Sequence, residues 1–161
     1  MSTELSMLAA RIRSEMSEIA VVTNRAQTAW QKAKSDHDDF YVDSAALNLH
    51  GFYSGLERLF QLIASRIDEF TPHGSDWHQE LLRQMGTNIP NIRPQVISSE
   101  TVKLLDQYRG FRHVVRNVYT FTLDPVRIGL LIDGLAETFA RVEKELGQFV
   151  DFLEGCAVSM S

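Results

Sequence analysis

The stretch Ser98–Phe121, SSETVKLLDQYRGFRHVVRNVYTF, decides how the rest of the chain is read. Laid on a helix at about 100° per residue, Leu104, Phe111, Val114, Val115, Val118 and Phe121 fall on one arc, and Arg109, Arg112, His113, Arg116, Asn117 and Tyr119 on the other. An apolar back thus carries a cationic, proton-exchanging front. The chain has a net charge of −5, so three arginines and a histidine within eight residues reverse its sign locally. Such a reversal points to an anionic ligand, with phosphate the natural candidate. The competing reading is a solvated face, since basic residues near a helix C-terminus gain a few tenths to about 1 kcal/mol from its dipole. Against it, no acidic residue lies between Asp106 and Asp124 to pair with the arginines on the same helix.

Outward from this helix the chain is helical in both directions. Ser98 or Ser99 caps it, and the preceding TNIPNIRP run (Thr87–Pro94) holds two prolines within five residues, which predicts a loop or an extended arm. Before that, Ser75 caps a short helix, SDWHQELLRQM, that stops at Gly86, and Thr71–Gly74, TPHG, ends the helix upstream. That second long helix, from about Phe40 to Phe70, shows Phe52, Leu56, Leu59, Phe60 and Ile63 on a broad buried face and is expected at the centre. Gly51 and Gly55 within it each cost about 1 kcal/mol relative to alanine, which predicts close approach of another helix, from this chain or across a dimer axis. The first helix runs from Glu4 to about Lys34, with Leu5, Leu8, Ile12, Met16 and Ile19 in step. SDHDD (Ser35–Asp39) interrupts the pattern. Downstream, Asp124 caps and Pro125 opens a last helix to about Glu154. The pattern predicts an all-α bundle of four principal helices and one short one, in a single domain over residues 1–161 with its core at about 4–154.

Several classes of chemistry find little support. With one cysteine, Cys156, there is no intramolecular disulfide and no thiolate zinc cage, and a reducing cytoplasm fits. The charged N-terminus does not read as a signal peptide, and no apolar run reaches a membrane-spanning length. Of the five histidines, His37 stands among Asp36, Asp38 and Asp39, where an acidic helix start is the simpler reading than a cation site. His73 and His78 flank a turn, His50 reads as an ordinary helix residue, and Trp30 and Trp77 as packing anchors. No serine sits on a nucleophile elbow. We expect no metal and no cofactor.

The order of elements, SGLERLFQLIASRID on the second helix, WHQELLRQM on the short one and above all YRGFRHVVRNVYTFTLDP resemble the HepT-like branch of the HEPN superfamily. The resemblance implies a dimeric all-α HEPN-like bundle that acts as a metal-independent ribonuclease toxin. It also implies a homodimer, and a partner antitoxin of the MNT nucleotidyltransferase type. RNA, with tRNA one candidate, is then the polymer, and neither DNA nor membrane is expected. The family motif is an arginine, a polar residue, a spacer and a histidine followed two positions on by a tyrosine. In this chain the arginine falls on Arg112, the polar position on His113, the histidine position on Asn117 and the tyrosine on Tyr119.

Asn117 departs from the motif, because an amide cannot exchange a proton near neutral pH. Either His113, one turn earlier, carries the acid/base role, or the copy is a weakened or inactive RNA- or nucleotide-binding dimer. In the first case Arg112, with Arg109 or Arg116, would hold the phosphate, and two protomers would pool their histidines in one cleft. The resemblance further implies that Tyr119 is the target of AMP transfer by the antitoxin.

Overall fold

The structure, a computed structural model, describes residues 2–117 and 123–160, and the side chains of His113, Val114, Arg116 and Asn117 lie outside what it describes. Helix α1 (Ser2–Asp36) buries Leu8, Ile12, Ile19 and Ala26 against α2 (Asp39–Ile63) and α5 (Pro125–Ser159). Between α1 and α2, His37 takes a positive φ of 53°, and the Asp38 carboxylate accepts the Phe40 amide at 3.0 Å. The acidic run is therefore a helix cap, as the simpler reading held.

Helix α2 is the central rod. Leu49, Phe52, Tyr53, Leu56, Leu59, Phe60 and Ile63 are each at most 1% exposed. At about 1.5–3 kcal/mol for each fully buried large apolar side chain, this helix carries much of the driving force for folding. Its glycines serve close packing within the chain. A Cβ at Gly55 would stand 2.9 Å from Ile19 Cγ1, and one at Gly51 would stand 3.2 Å from Val22 Cγ1. Both neighbours belong to α1.

The α-helical pattern of α2 gives way at Ala64 to one wide π turn, Ala64–Asp68, closed by Glu69 in the left-handed region. That turn ends on Asp68, whose carboxylate meets Arg93 of the proline-containing loop at 2.6 and 2.7 Å. Helix α3 (Trp77–Met85) follows and stops at Gly86. Of the two expected forms, a loop or an extended arm, the segment after it takes the first, a loop tied back on itself. Ile89 and Arg93 exchange backbone hydrogen bonds of 2.9 and 3.0 Å, and the amides of Val96 and Ile97 both donate to the Met85 carbonyl.

Helix α4 (Ser99–Asn117) opens on Ser98, whose hydroxyl accepts the Thr101 amide at 3.2 Å. Glu145 of α5 takes the Ser98 amide at 2.7 Å and the Thr101 hydroxyl at 2.9 Å, tying the start of α4 to α5. The core face of α4 is rotated from the predicted arc: Thr101, Leu105, Tyr108 and Phe111 are buried, while Leu104 is half-buried. Tyr108 can go inside because its hydroxyl donates to the Leu131 carbonyl at 2.7 Å and its ring meets Phe52 edge to face at 5.2 Å. Asp124 caps α5 through the Val126 amide at 3.0 Å, and α5 continues one turn beyond its predicted end. Among the described residues the elements are helices and one isolated bridge, and no helix is long and apolar enough to cross a membrane.

Candidate functional site

Arg112 departs from α4 at the edge of its buried face. Its side chain is 18% exposed, and its Nε meets α2. Arg112 Nε lies 3.4 Å from Ser54 Oγ, a long hydrogen bond, and 3.6 Å from Glu57 Oε1, an ion pair without hydrogen-bond contact. Among the described residues its two Nη groups have no acceptor.

Glu57 is the pivot of this arrangement, with a side chain only 5% exposed. An ionised carboxylate at that depth costs several kcal/mol unless partners compensate, and here it has one on each oxygen. Oε1 faces Arg112, and Oε2 lies 2.7 Å from Nδ1 of His78 on α3. A carboxylate can only accept, so the imidazole nitrogen is the donor. The His78 ring lies against Trp77, with centroids 3.6 Å apart and planes tilted by 32°, and its side chain is 25% exposed. Three helices therefore converge on one buried carboxylate, which links an imidazole to a guanidinium.

Tyr53, 1% exposed on the preceding turn of α2, feels the same charges. Burial pushes its phenol well above the ordinary value, and the Glu57 carboxylate adds to that, while Arg109 and Arg112 oppose it. Arg109 itself is engaged: its Nε donates to Asp106 Oδ1 at 2.7 Å, one turn back on α4. The expectation that the arginines of this helix lack same-helix partners is corrected at Arg109, and Arg112 finds its carboxylate on another helix instead. Reading α4 alone could not reveal that.

The backbone of α4 is described to Asn117. The side chains of His113, Arg116 and Asn117, and all of Tyr119, lie outside the described residues, so the expectations made for them stay with the sequence. Sequence reasoning did not assign Glu57 or Ser54 to a site, and it read His78 only as flanking a turn. A signal existed at Glu57, since SGLERLF puts a carboxylate between Leu56 and Leu59, both at most 1% exposed. Among the described residues no group of three histidine, cysteine or acidic side chains is placed to hold a metal ion.

No curated protein and no solved structure matches the chain. A family model described as HepT-like protein matches residues 44–153, from the first third of α2 through most of α5. With the all-helical architecture and the matched span covering Ser54, Glu57, His78 and Arg112, this protein belongs to the HepT-like family of the HEPN superfamily.

Proposed function

We propose that the protein is the toxin of a toxin–antitoxin pair and cleaves RNA without a metal ion, at a cleft shared by two copies of the chain. The observation that carries the reading is Arg112, the family motif's arginine, held through Nε by Ser54 and Glu57 and without an acceptor for either Nη group among the described residues. An arginine so arranged is set to receive a phosphate bidentately.

RNA carries its own nucleophile. A base takes the proton of the 2′-hydroxyl, the oxygen attacks phosphorus, and an acid protonates the departing 5′-oxygen. The products are a 2′,3′-cyclic phosphate and a 5′-hydroxyl. Arg112 stabilises the negative charge that builds on the non-bridging oxygens, with Arg109 and Arg116 contributing to the field. His113 supplies the proton-exchanging group that Asn117 cannot. Pairing of two α4 helices across a two-fold axis would assemble the full set of charges.

The test is cleavage of tRNA or another structured RNA by the purified protein in EDTA. Cleavage that Arg112→Ala and His113→Ala both abolish supports the reading. Activity that survives both changes removes it. A second reading, that this copy binds RNA or nucleotide without cutting, is favoured by Asn117. An inert parent that gains cleavage on Asn117→His establishes that second reading. Neutralisation by an MNT-type nucleotidyltransferase would proceed by AMP transfer to Tyr119, and the absence of a mass increase on that residue with enzyme and ATP rules this out.

A further inference from the structure

The sequence offers one proton-exchanging histidine on α4, and the fold brings up another. His78 belongs to α3, thirty-four positions before Arg112, yet both engage the two oxygens of the same Glu57 carboxylate. Structural histidines are commonly satisfied at both ring nitrogens or lie sealed in a core. His78 is neither: among the described residues Nε2 has no partner, and a quarter of the side chain is open to solvent.

The ring is also held in one orientation. Glu57 Oε2 lies 2.7 Å from Nδ1, and Trp77 lies against the ring with centroids 3.6 Å apart. Because the carboxylate only accepts, Nδ1 bears the hydrogen, and in the neutral ring Nε2 is left with the lone pair. A buried carboxylate that orients an imidazole from behind and stabilises the cation formed when the ring takes a proton is a known catalytic arrangement. In this chain the same carboxylate also faces the guanidinium assigned to the phosphate.

We propose that His78 is the general base of this site, taking the 2′-hydroxyl proton onto Nε2 while Glu57 holds the tautomer; the inference rests on the ribonuclease reading above. In the balanced step, the O2′–H bond breaks as O2′–P forms, and the proton goes to His78. The P–O5′ bond then breaks with its electron pair on O5′, which takes a proton from His113. Glu57 is then the positioning residue between base and phosphate clamp, and the acid role stays with His113 as the ribonuclease reading gives it.

The experiment compares the parent, His78→Gln, His78→Gly and Arg112→Ala in steady-state cleavage of a structured RNA in EDTA, with thermal midpoints for each. Glutamine keeps an N–H for Glu57 but has no ring nitrogen to accept a proton. The expected result for His78→Gln is a kcat lower by about 10²–10³-fold, the range of general-base catalysis, with KM and thermal midpoint nearly unchanged. Free imidazole should restore part of the activity of His78→Gly, a response that a purely structural role would not give. A kcat for His78→Gln within about threefold of the parent overturns the proposal, as does a loss confined to KM or one that imidazole leaves untouched in His78→Gly. If Arg112→Ala abolishes cleavage and His78→Gln does not, the base assignment falls and the ribonuclease reading stands. If the parent does not cleave RNA, or Arg112→Ala leaves cleavage intact, the ribonuclease reading falls and takes this one with it.

Discussion

Two arginines meet buried carboxylates, one inside α2 and one at the end of the π turn that follows it, and they are used in opposite ways. The Arg93 side chain is 0% exposed and its donors are saturated. Its Nε and Nη2 meet Asp68 at 2.6 and 2.7 Å, Nη2 also donates to the Gln84 carbonyl at 3.1 Å, and Nη1 donates to the Thr87 and Pro94 carbonyls at 2.9 and 3.0 Å. Arg112 is 18% exposed, holds its carboxylate at 3.6 Å, and has no acceptor among the described residues for either Nη. The first spends all its hydrogen-bonding capacity on the fold and has none left for a ligand. The second is anchored at one end and has donors in reserve. Saturation, more than charge or burial, separates an arginine that holds structure from one available for chemistry.

The comparison can be broken most directly at Arg93. Arg93→Ala strands the Asp68 carboxylate and the Gln84, Thr87 and Pro94 carbonyls, and should destabilise the protein by about 3–5 kcal/mol in urea or thermal unfolding. A loss under about 1 kcal/mol would show that this pair does not hold the loop. At Arg112 the expected effect falls on activity. Arg112→Ala should lower kcat by about 10²–10³-fold while stability falls far less than for Arg93, since Glu57 keeps His78. Equal losses of stability at the two positions would erase the distinction. The smallest effect is expected at Arg109, whose partner Asp106 is itself half exposed. Arg109→Ala should change stability by less than about 1 kcal/mol and reduce the salt dependence of RNA binding by about one charge. An unchanged salt slope would remove Arg109 from the RNA surface.

Periodicity made the helices legible because it is a local property. The spacing of Leu49, Phe52, Leu56 and Phe60 marks a buried face wherever the helix packs, and Asp38, Ser98 and Asp124 satisfy backbone donors within three residues of themselves. Tyr108 shows what spacing leaves out: its hydroxyl is buried because it donates to the Leu131 carbonyl, an acceptor that α5 supplies. The proline-containing segment was legible as a break between helices, but prolines forbid a helix without saying what fixes the loop that replaces it. The bidentate clamp of Arg93 on Asp68 comes from twenty-five positions away.

By itself the sequence determined that the chain is helical, where its helices begin and end within a few residues, and that the arginine-rich segment of α4 resembles the motif of its family with an asparagine in place of the histidine. These depend on interactions between neighbours in the chain, which composition and spacing record. Only the tertiary structure decided that Glu57 joins His78 to Arg112 and that Arg93 has an acceptor for every donor while, among the described residues, Arg112 does not. Each of these pairings joins groups at least twenty-one positions apart. A buried charge takes whichever partner packing brings within reach, and that choice is made in space after the helices have formed.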